Sequence, residues 1–382
     1  MKYVKNGKII MPDGEIEGKV LAFSDTVEGV IDESEIGCFG EGDVIDACCG
    51  IVSPGLIDIH IHGYLGEDSS DGSKEGMLRM AKGLIKNGVT AFLPTTMTAP
   101  YQQLEKAFDV IRTLKASEVD GAQILGVNAE GPFISPEYKG AHKEDNIKNI
   151  DPDFLIRHSD VIRIATVAPE RTGALEAIKK VKENTDIVMS MGHTSANYVQ
   201  AKEGIEAGIS LATHLFNAMT PLNHRDPGVA GAALTNENVG CELIADTLHI
   251  NADLFKMVYI LKKDKLILIT DCTRAGGLVD GKYDLGGQMI TKKGIECRLA
   301  DGTLAGSALT LNKALYNFRK YTGLKDYEVI SLATANPAKI IRDKERGTLE
   351  VGKRADVVIF DNNFNAVRTF VGGIEKATDS CL

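Results

Sequence analysis

Eight runs of apolar, strand-type residues recur along the middle of the chain, at 55–62, 89–97, 122–130, 161–168, 187–193, 209–215, 241–247 and 265–271. Most intervals between them carry a helical pattern. In 73–88 the apolar positions Met77, Leu78, Ala81, Leu84 and Ile85 repeat at helical spacing, and Gly88 provides a stop. In 100–116 they are Leu104, Ala107, Phe108, Ile111 and Leu114, and Asn251 takes an N-cap place ahead of Leu254, Phe255, Val258 and Leu261. Strands that are apolar on both faces are buried on both faces, which is the habit of parallel sheets. Eight such strands alternating with helices predict an α/β protein of the (β/α)8 TIM-type barrel class. A doubly wound open sheet competes with this, but no Gly-x-Gly-x-x-Gly follows any strand.

The two ends read differently. Residues 1–52 hold short strand patterns with Asn6-Gly7 and Asp13-Gly14 as hairpin signals, and 350–382 returns to that style through Ala355-Asp356-Val357-Val358-Ile359-Phe360. The expectation is a small β-sandwich domain built from both termini (1–52 and 350–382) around a barrel at 53–349. A chain of 382 residues has room for both.

Composition removes several function classes. The net charge of −10 argues against a nucleic-acid surface or an anionic membrane as partner. No run of about 18 apolar residues is present, as a membrane span would require. The N-terminus, Met1-Lys2-Tyr3-Val4-Lys5, lacks the apolar core of a secretion signal, so a cytoplasmic location is expected. Seven scattered cysteines (38, 48, 49, 241, 272, 297, 381) without Cys-x-x-Cys read as reduced thiols.

Barrel enzymes carry their chemistry at the C-terminal ends of the strands. The first run is Gly55-Leu56-Ile57-Asp58-Ile59-His60-Ile61-His62, so a period of two puts Asp58, His60 and His62 on one buried face. Unpaired there, they would cost several kcal/mol. A metal resolves this, and so would a pair of hydrogen-bonded structural histidines. Later runs end in Glu130, His193, His214 and Asp271. Singly, each has an ordinary reading as a cap or a satisfied core residue. Together they bring four histidines and two carboxylates to one rim, a donor set suited to zinc, iron or manganese.

These residues resemble the amidohydrolase superfamily. Within it the likeness is closest to the deacetylases of N-acetylglucosamine 6-phosphate. The resemblance rests on Pro54-Gly55-Leu56-Ile57-Asp58, Glu130-Gly131-Pro132-Phe133, Lys139-Gly140-Ala141-His142, Gly192-His193-Thr194, Thr213-His214-Leu215-Phe216-Asn217-Ala218-Met219, Asp246-Thr247-Leu248-His249 and Leu304-Ala305-Gly306-Ser307, in the family's order. It implies a hydrolase of linear amide C–N bonds holding one or two divalent metals (Zn, Fe or Mn) per subunit. Glu130, His193 and His214 would bind one ion, and His60, His62 and Asp271 the second.

By the same resemblance Asp271 is the general base and acid and His142 polarises the acetyl carbonyl. Ala141, Asn217, Ala218, Arg225, Asp246, His249, Leu304, Ala305 and Gly306 would contact substrate. Arg225 and His249 would serve the phosphate, with contacts crossing the interface of a homodimer. For Arg225 a plain surface ion pair with Asp226 is the alternative. The sequence departs from the family's pattern at Asn128-Ala129 and at Asn223-His224. An amidase of another N-acylated sugar phosphate or a cyclic amide, and a non-catalytic scaffold on the same barrel, are the competing functions.

Overall fold

The computed structural model describes residues 1–376. The remaining positions of the expected terminal domain, Cys381 included, lie outside the described residues. Each expected run forms a strand: β1 Leu56–Ile61, β2 Val89–Thr96, β3 Val127–Glu130, β4 Ile162–Val167, β5 Val188–Met191, β6 Ile209–Ala212, β7 Gly240–Ile244 and β8 Leu266–Ile269. They pair in parallel in chain order. The ring closes between β8 and β1, where the Asp271 N–H donates to the His60 carbonyl and the His62 N–H to the Cys272 carbonyl, both at 2.9 Å. Every residue of β1, β2, β3, β5, β7 and β8 is buried, on both faces of each strand, the reason these runs are mostly apolar. The third run is split. Gln123–Ile124 pairs with the start of β2 and Val127–Glu130 with its end. Gly126 makes the break at φ +143, where a Cβ would stand 2.5 Å from the Val161 carbonyl oxygen.

Helices cover the barrel: α1 Lys74–Leu84, α2 Tyr101–Lys115, α3 Pro152–Arg157, α4 Ala174–Asn184, α5 Tyr198–Ala207, α6 Gly228–Thr235, α7 Phe255–Lys262 and α8 Leu311–Thr322. Ser73 caps α1 by accepting the Gly76 N–H at 3.0 Å, and α2 buries all five residues of its expected stripe. At α7 the expectation needs correcting. Asn251 caps only the 3-10 turn Ala252–Leu254, and the helix begins at Phe255 with Phe255, Val258 and Lys262 buried. Leu254 and Leu261 lie roughly 100–120° round the helix from Phe255, and they are 38% and 51% exposed.

Two sheets come from the chain ends. One has four strands, Lys2–Lys5, Val20–Phe23, Val27–Ile31 and Asp43–Asp46. In the other, Ile51–Pro54 lies between Lys8–Met11 and Val357–Phe360, joining the N-terminal to the C-terminal segments. Val4, Leu21 and Phe23 of the first share a core with Ile9, Val52, Val357 and Phe370 of the second, which is sandwich packing. Asp13-Gly14 lies at a true hairpin. Asn6-Gly7 does not: its strands belong to different sheets, and the turn at Asn6 (φ +57) carries the chain from one layer to the other. Unforeseen was a three-stranded antiparallel sheet, Gly281–Leu285, Gln288–Lys293 and Glu296–Arg298, inserted between β8 and α8. Among the described residues no helix is long and apolar enough to cross a membrane.

Candidate metal centre

Glu130 ends β3, while His193, His214 and Asp271 each stand two residues beyond β5, β6 and β8. These last three have left-handed backbones, with φ of +48°, +29° and +50°. Such conformations cost about 1–3 kcal/mol apiece and persist where surrounding bonds fix them. At Asp271 the fixing comes from the Leu304–Ser307 run, whose Ser307 N–H donates to the Asp271 carbonyl at 2.8 Å. Gly306 (φ +55) lies so close that a Cβ would meet the same carbonyl oxygen at 2.9 Å. Gly140 (φ +53) lies against the His193 ring, where a Cβ would stand 3.3 Å from Cε1.

All six expected ligand residues come together. Glu130 Oε1 lies 2.9 Å from His214 Nε2 and 3.2 Å from His193 Nε2, and these two nitrogens are 3.0 Å apart. Glu130 Oε2 lies 3.0 Å from His62 Nε2, and Asp271 Oδ1 lies 3.2 Å from that nitrogen and 3.6 Å from His60 Nε2. Two three-residue groups result, His60–His62–Glu130 and Glu130–His193–His214, each with its ligand atoms within 4.8 Å of one another. Ligands bonded at about 2.0–2.1 Å to a tetrahedral zinc stand roughly 3.3 Å apart, so the spacing fits.

Ring polarity carries the fit further. His60, His62, His193 and His214 use Nδ1 on the Glu242 carboxylate (2.9 Å) and on the carbonyls of Thr95 (3.2 Å), Tyr138 (2.8 Å) and Asn217 (3.1 Å). Those acceptors require Nδ1–H, so in the neutral rings four Nε2 lone pairs face one another. His60 Nε2, fully buried, has no hydrogen-bond partner among the described residues. A cation is what satisfies such a set. His142 is oriented oppositely. Its Nδ1 accepts the Thr98 N–H at 3.1 Å, so in the neutral ring Nε2 carries the proton and projects a donor into the site.

The charges follow suit. Burial and then the nearby His193 push His142 down to about 4, keeping it neutral. Burial works against ionising Asp271, but the hydrogen bond with His62 outweighs it and holds the carboxyl at about 2. Asp58, the other polar residue of β1, is no ligand. It accepts the Thr270 hydroxyl at 2.6 Å across the β8–β1 seam, and burial raises it to about 7.

The cluster floors a cavity of about 370 Å³. Its walls include Ala141, His142, Asn217, Ala218, His249, Leu304, Ala305 and Gly306, as expected, and also Met97, Tyr138, Leu285 and Thr303, which were not. Leu285 comes from the unforeseen sheet, which is tied down by Gln288 donating to the Ala141 carbonyl at 2.5 Å. The Gly286-Gly287 pair is the sequence signal that marks its first turn. Two expected contacts do not line the cavity. Asp246 lies behind His249, gripping His249 Nδ1 at 2.6 Å. Arg225 stands in the exposed stretch 221–226, and no ion pair with Asp226 forms among the described residues. No lysine or arginine among them lines the cavity. Asn128 ties β3 to β1 through the Ile59 carbonyl at 2.9 Å. Glu242 was missed, although a single carboxylate inside Gly240-Cys241-Glu242-Leu243-Ile244 was the signal for it.

A parallel eight-stranded barrel with histidines and carboxylates converging at its C-terminal mouth defines a class, the divalent-metal hydrolases built on a (β/α)8 barrel. The chain belongs to the amidohydrolase family, whose model matches residues 51–375. It is 39% identical to the N-acetylglucosamine-6-phosphate deacetylase of Bacillus subtilis (strain 168), over 85% of this chain and 84% of that one. It is 33% identical to the N-acetylgalactosamine-6-phosphate deacetylase of Escherichia coli O157:H7, over 96% and 97%. The crystal structure of N-acetylglucosamine-6-phosphate deacetylase from Pasteurella multocida superposes with a TM-score of 0.93 at 32% identity, covering 98% of this chain and 99% of that one.

Proposed function

We propose that the protein removes the acetyl group from N-acetyl-D-glucosamine 6-phosphate, giving D-glucosamine 6-phosphate and acetate. The observation that carries this is the opposed ring polarity at the cavity floor: the Nε2 atoms of four neutral histidines converge on Glu130 and Asp271, while the His142 Nε2–H is turned into the cavity. Glu130, His193 and His214 would hold one ion, and His60, His62 and Asp271 a second, with zinc, iron or manganese suited to the donors. When bound, such an ion supplies Lewis acidity and water that ionises near pH 7.

The chain's own groups do the rest. Asp271, ionised at neutral pH, accepts the proton of the attacking water as its oxygen bonds to the acetyl carbon. His142 donates its Nε2–H to the carbonyl oxygen as negative charge builds there. The C–N bond then breaks with its electron pair going to nitrogen, and Asp271 returns the proton to the amine. Asn217, Ala218 and the 304–306 backbone hold the sugar, and His249, braced by Asp246, reaches toward the phosphate end.

A dianionic phosphate needs a cation that the cavity wall lacks. Arg225 on its exposed loop is the candidate, serving the neighbouring subunit of a homodimer. The reading includes a cytoplasmic enzyme of amino-sugar breakdown, divided into a barrel (53–349) and a β domain (1–52 and 350–382).

A second substrate reading, the 4-epimer N-acetylgalactosamine 6-phosphate, is favoured by the Escherichia coli relative, which aligns over nearly the whole chain. Acetate release from both N-acetylated sugars, with and without the 6-phosphate and with and without a chelator, decides between them. The expectation is the highest kcat/KM on the phosphorylated gluco form, abolished by chelation. Equal rates on unphosphorylated sugars would refute the assignment.

A further inference from the structure

Glu242 is completely buried on β7, in a stretch where every other residue is apolar or glycine. One of its oxygens, Oε2, does two things at once. It takes His60 Nδ1 at 2.9 Å and accepts the backbone N–H of His214 at 3.2 Å. It thus touches one histidine from each half of the centre. The other three ligand histidines present Nδ1 to neutral carbonyls, and His60 alone of the four presents it to a carboxylate. Its second oxygen, Oε1, is buried with no partner among the described residues. A carboxylate sealed in a barrel core and half unpaired is expensive, and an apolar side chain would fill a parallel strand at no such penalty. Positive charge just beyond the His60 ring would compensate it through that hydrogen bond. A carboxylate on the far nitrogen of a ligating histidine fixes the tautomer and raises the basicity of the nitrogen facing the ion.

We propose that Glu242 is the positioning residue that commits the His60–His62 half of the centre to holding a second divalent cation. The inference rests on the cation reading given above. Zinc alone is the probe, with stoichiometry and affinity measured by equilibrium dialysis of the full chain and elemental analysis. The wild-type chain takes up two ions. Glu242→Gln, nearly isosteric but neutral, keeps the first and binds the second 10–100-fold more weakly, while the unfolding midpoint of the metal-free protein is not lowered. Glu242→Asp, which retains the charge but withdraws it by one methylene, weakens the second ion in the same way and serves if the Gln variant folds poorly. Two ions held by Glu242→Gln with unchanged affinities, or loss of both together with a lowered metal-free midpoint, overturns the inference. A wild-type chain holding a single ion also overturns it while leaving the first site standing. A wild-type chain binding no zinc defeats the cation reading itself.

Discussion

Replacing His142 by alanine separates a donor from a ligand. The Thr98 N–H fixes the ring so that Nε2–H faces the cavity, and the ring packs edge-on against His193 with centroids 4.5 Å apart. Because its Nε2 carries the proton, His142 does not hold metal. His142→Ala therefore leaves metal content unchanged. Loss of one donor to a developing oxyanion costs about 10²–10³ in kcat, roughly 3–4 kcal/mol, with a small effect on KM. The variant also leaves the buried Thr98 N–H without its acceptor, a penalty of about 1–3 kcal/mol in stability. Acetate-release kinetics, elemental analysis and thermal unfolding read the three quantities separately. There is a pH corollary. The folded pKa of about 4 lies below the ordinary value of 6.5, so in that window the unfolded chain binds the extra proton. Stability from this group is therefore complete above pH 6.5 and is lost as pH falls toward 4, and His142→Ala flattens that slope. A variant that loses metal, or one whose kcat falls less than about tenfold, would refute the assignment of the ring as donor.

Two further outcomes are expected. Asp271→Asn folds with an unchanged circular dichroism spectrum, since asparagine tolerates the left-handed backbone at φ +50°, but kcat drops by about 10²–10⁴; near-wild-type turnover would remove Asp271 from the proton path. Arg225→Ala raises KM for the 6-phosphate at least tenfold more than for the unphosphorylated sugar, whereas equal shifts in steady-state kinetics on both would rule out a phosphate contact.

Much of this was legible in the sequence because the barrel writes its burial directly into its strands. Every residue of β1, β2 and β8 is buried and most are apolar, while His60 within β1 and His62 and Asp271 just beyond β1 and β8 are polar residues that meet at the mouth. Histidine polarity was not legible. It depends on the carbonyls of Thr95, Tyr138 and Asn217 and on Glu242, which approach across 3 to 182 positions of chain. The sheet at 281–298 escaped notice because most of its residues are half-buried or exposed, without the continuous apolar run that marks a barrel strand, and it contributes one buried wall residue, Leu285, to the cavity. The misread turn at Asn6-Gly7 has a simple cause. A left-handed asparagine reverses the chain equally well within a sheet or between two sheets, and the partner strands decide which.

The three left-handed residues at His193, His214 and Asp271 carry a consequence for how this protein can change. Glycine would relax the backbone at each position, so random drift toward robustness pulls against the chemistry at those same points. A more heat-resistant descendant that keeps its activity must find its gains elsewhere, in helix caps, loop prolines or the terminal sandwich. The mouth itself stays under tension for as long as it works.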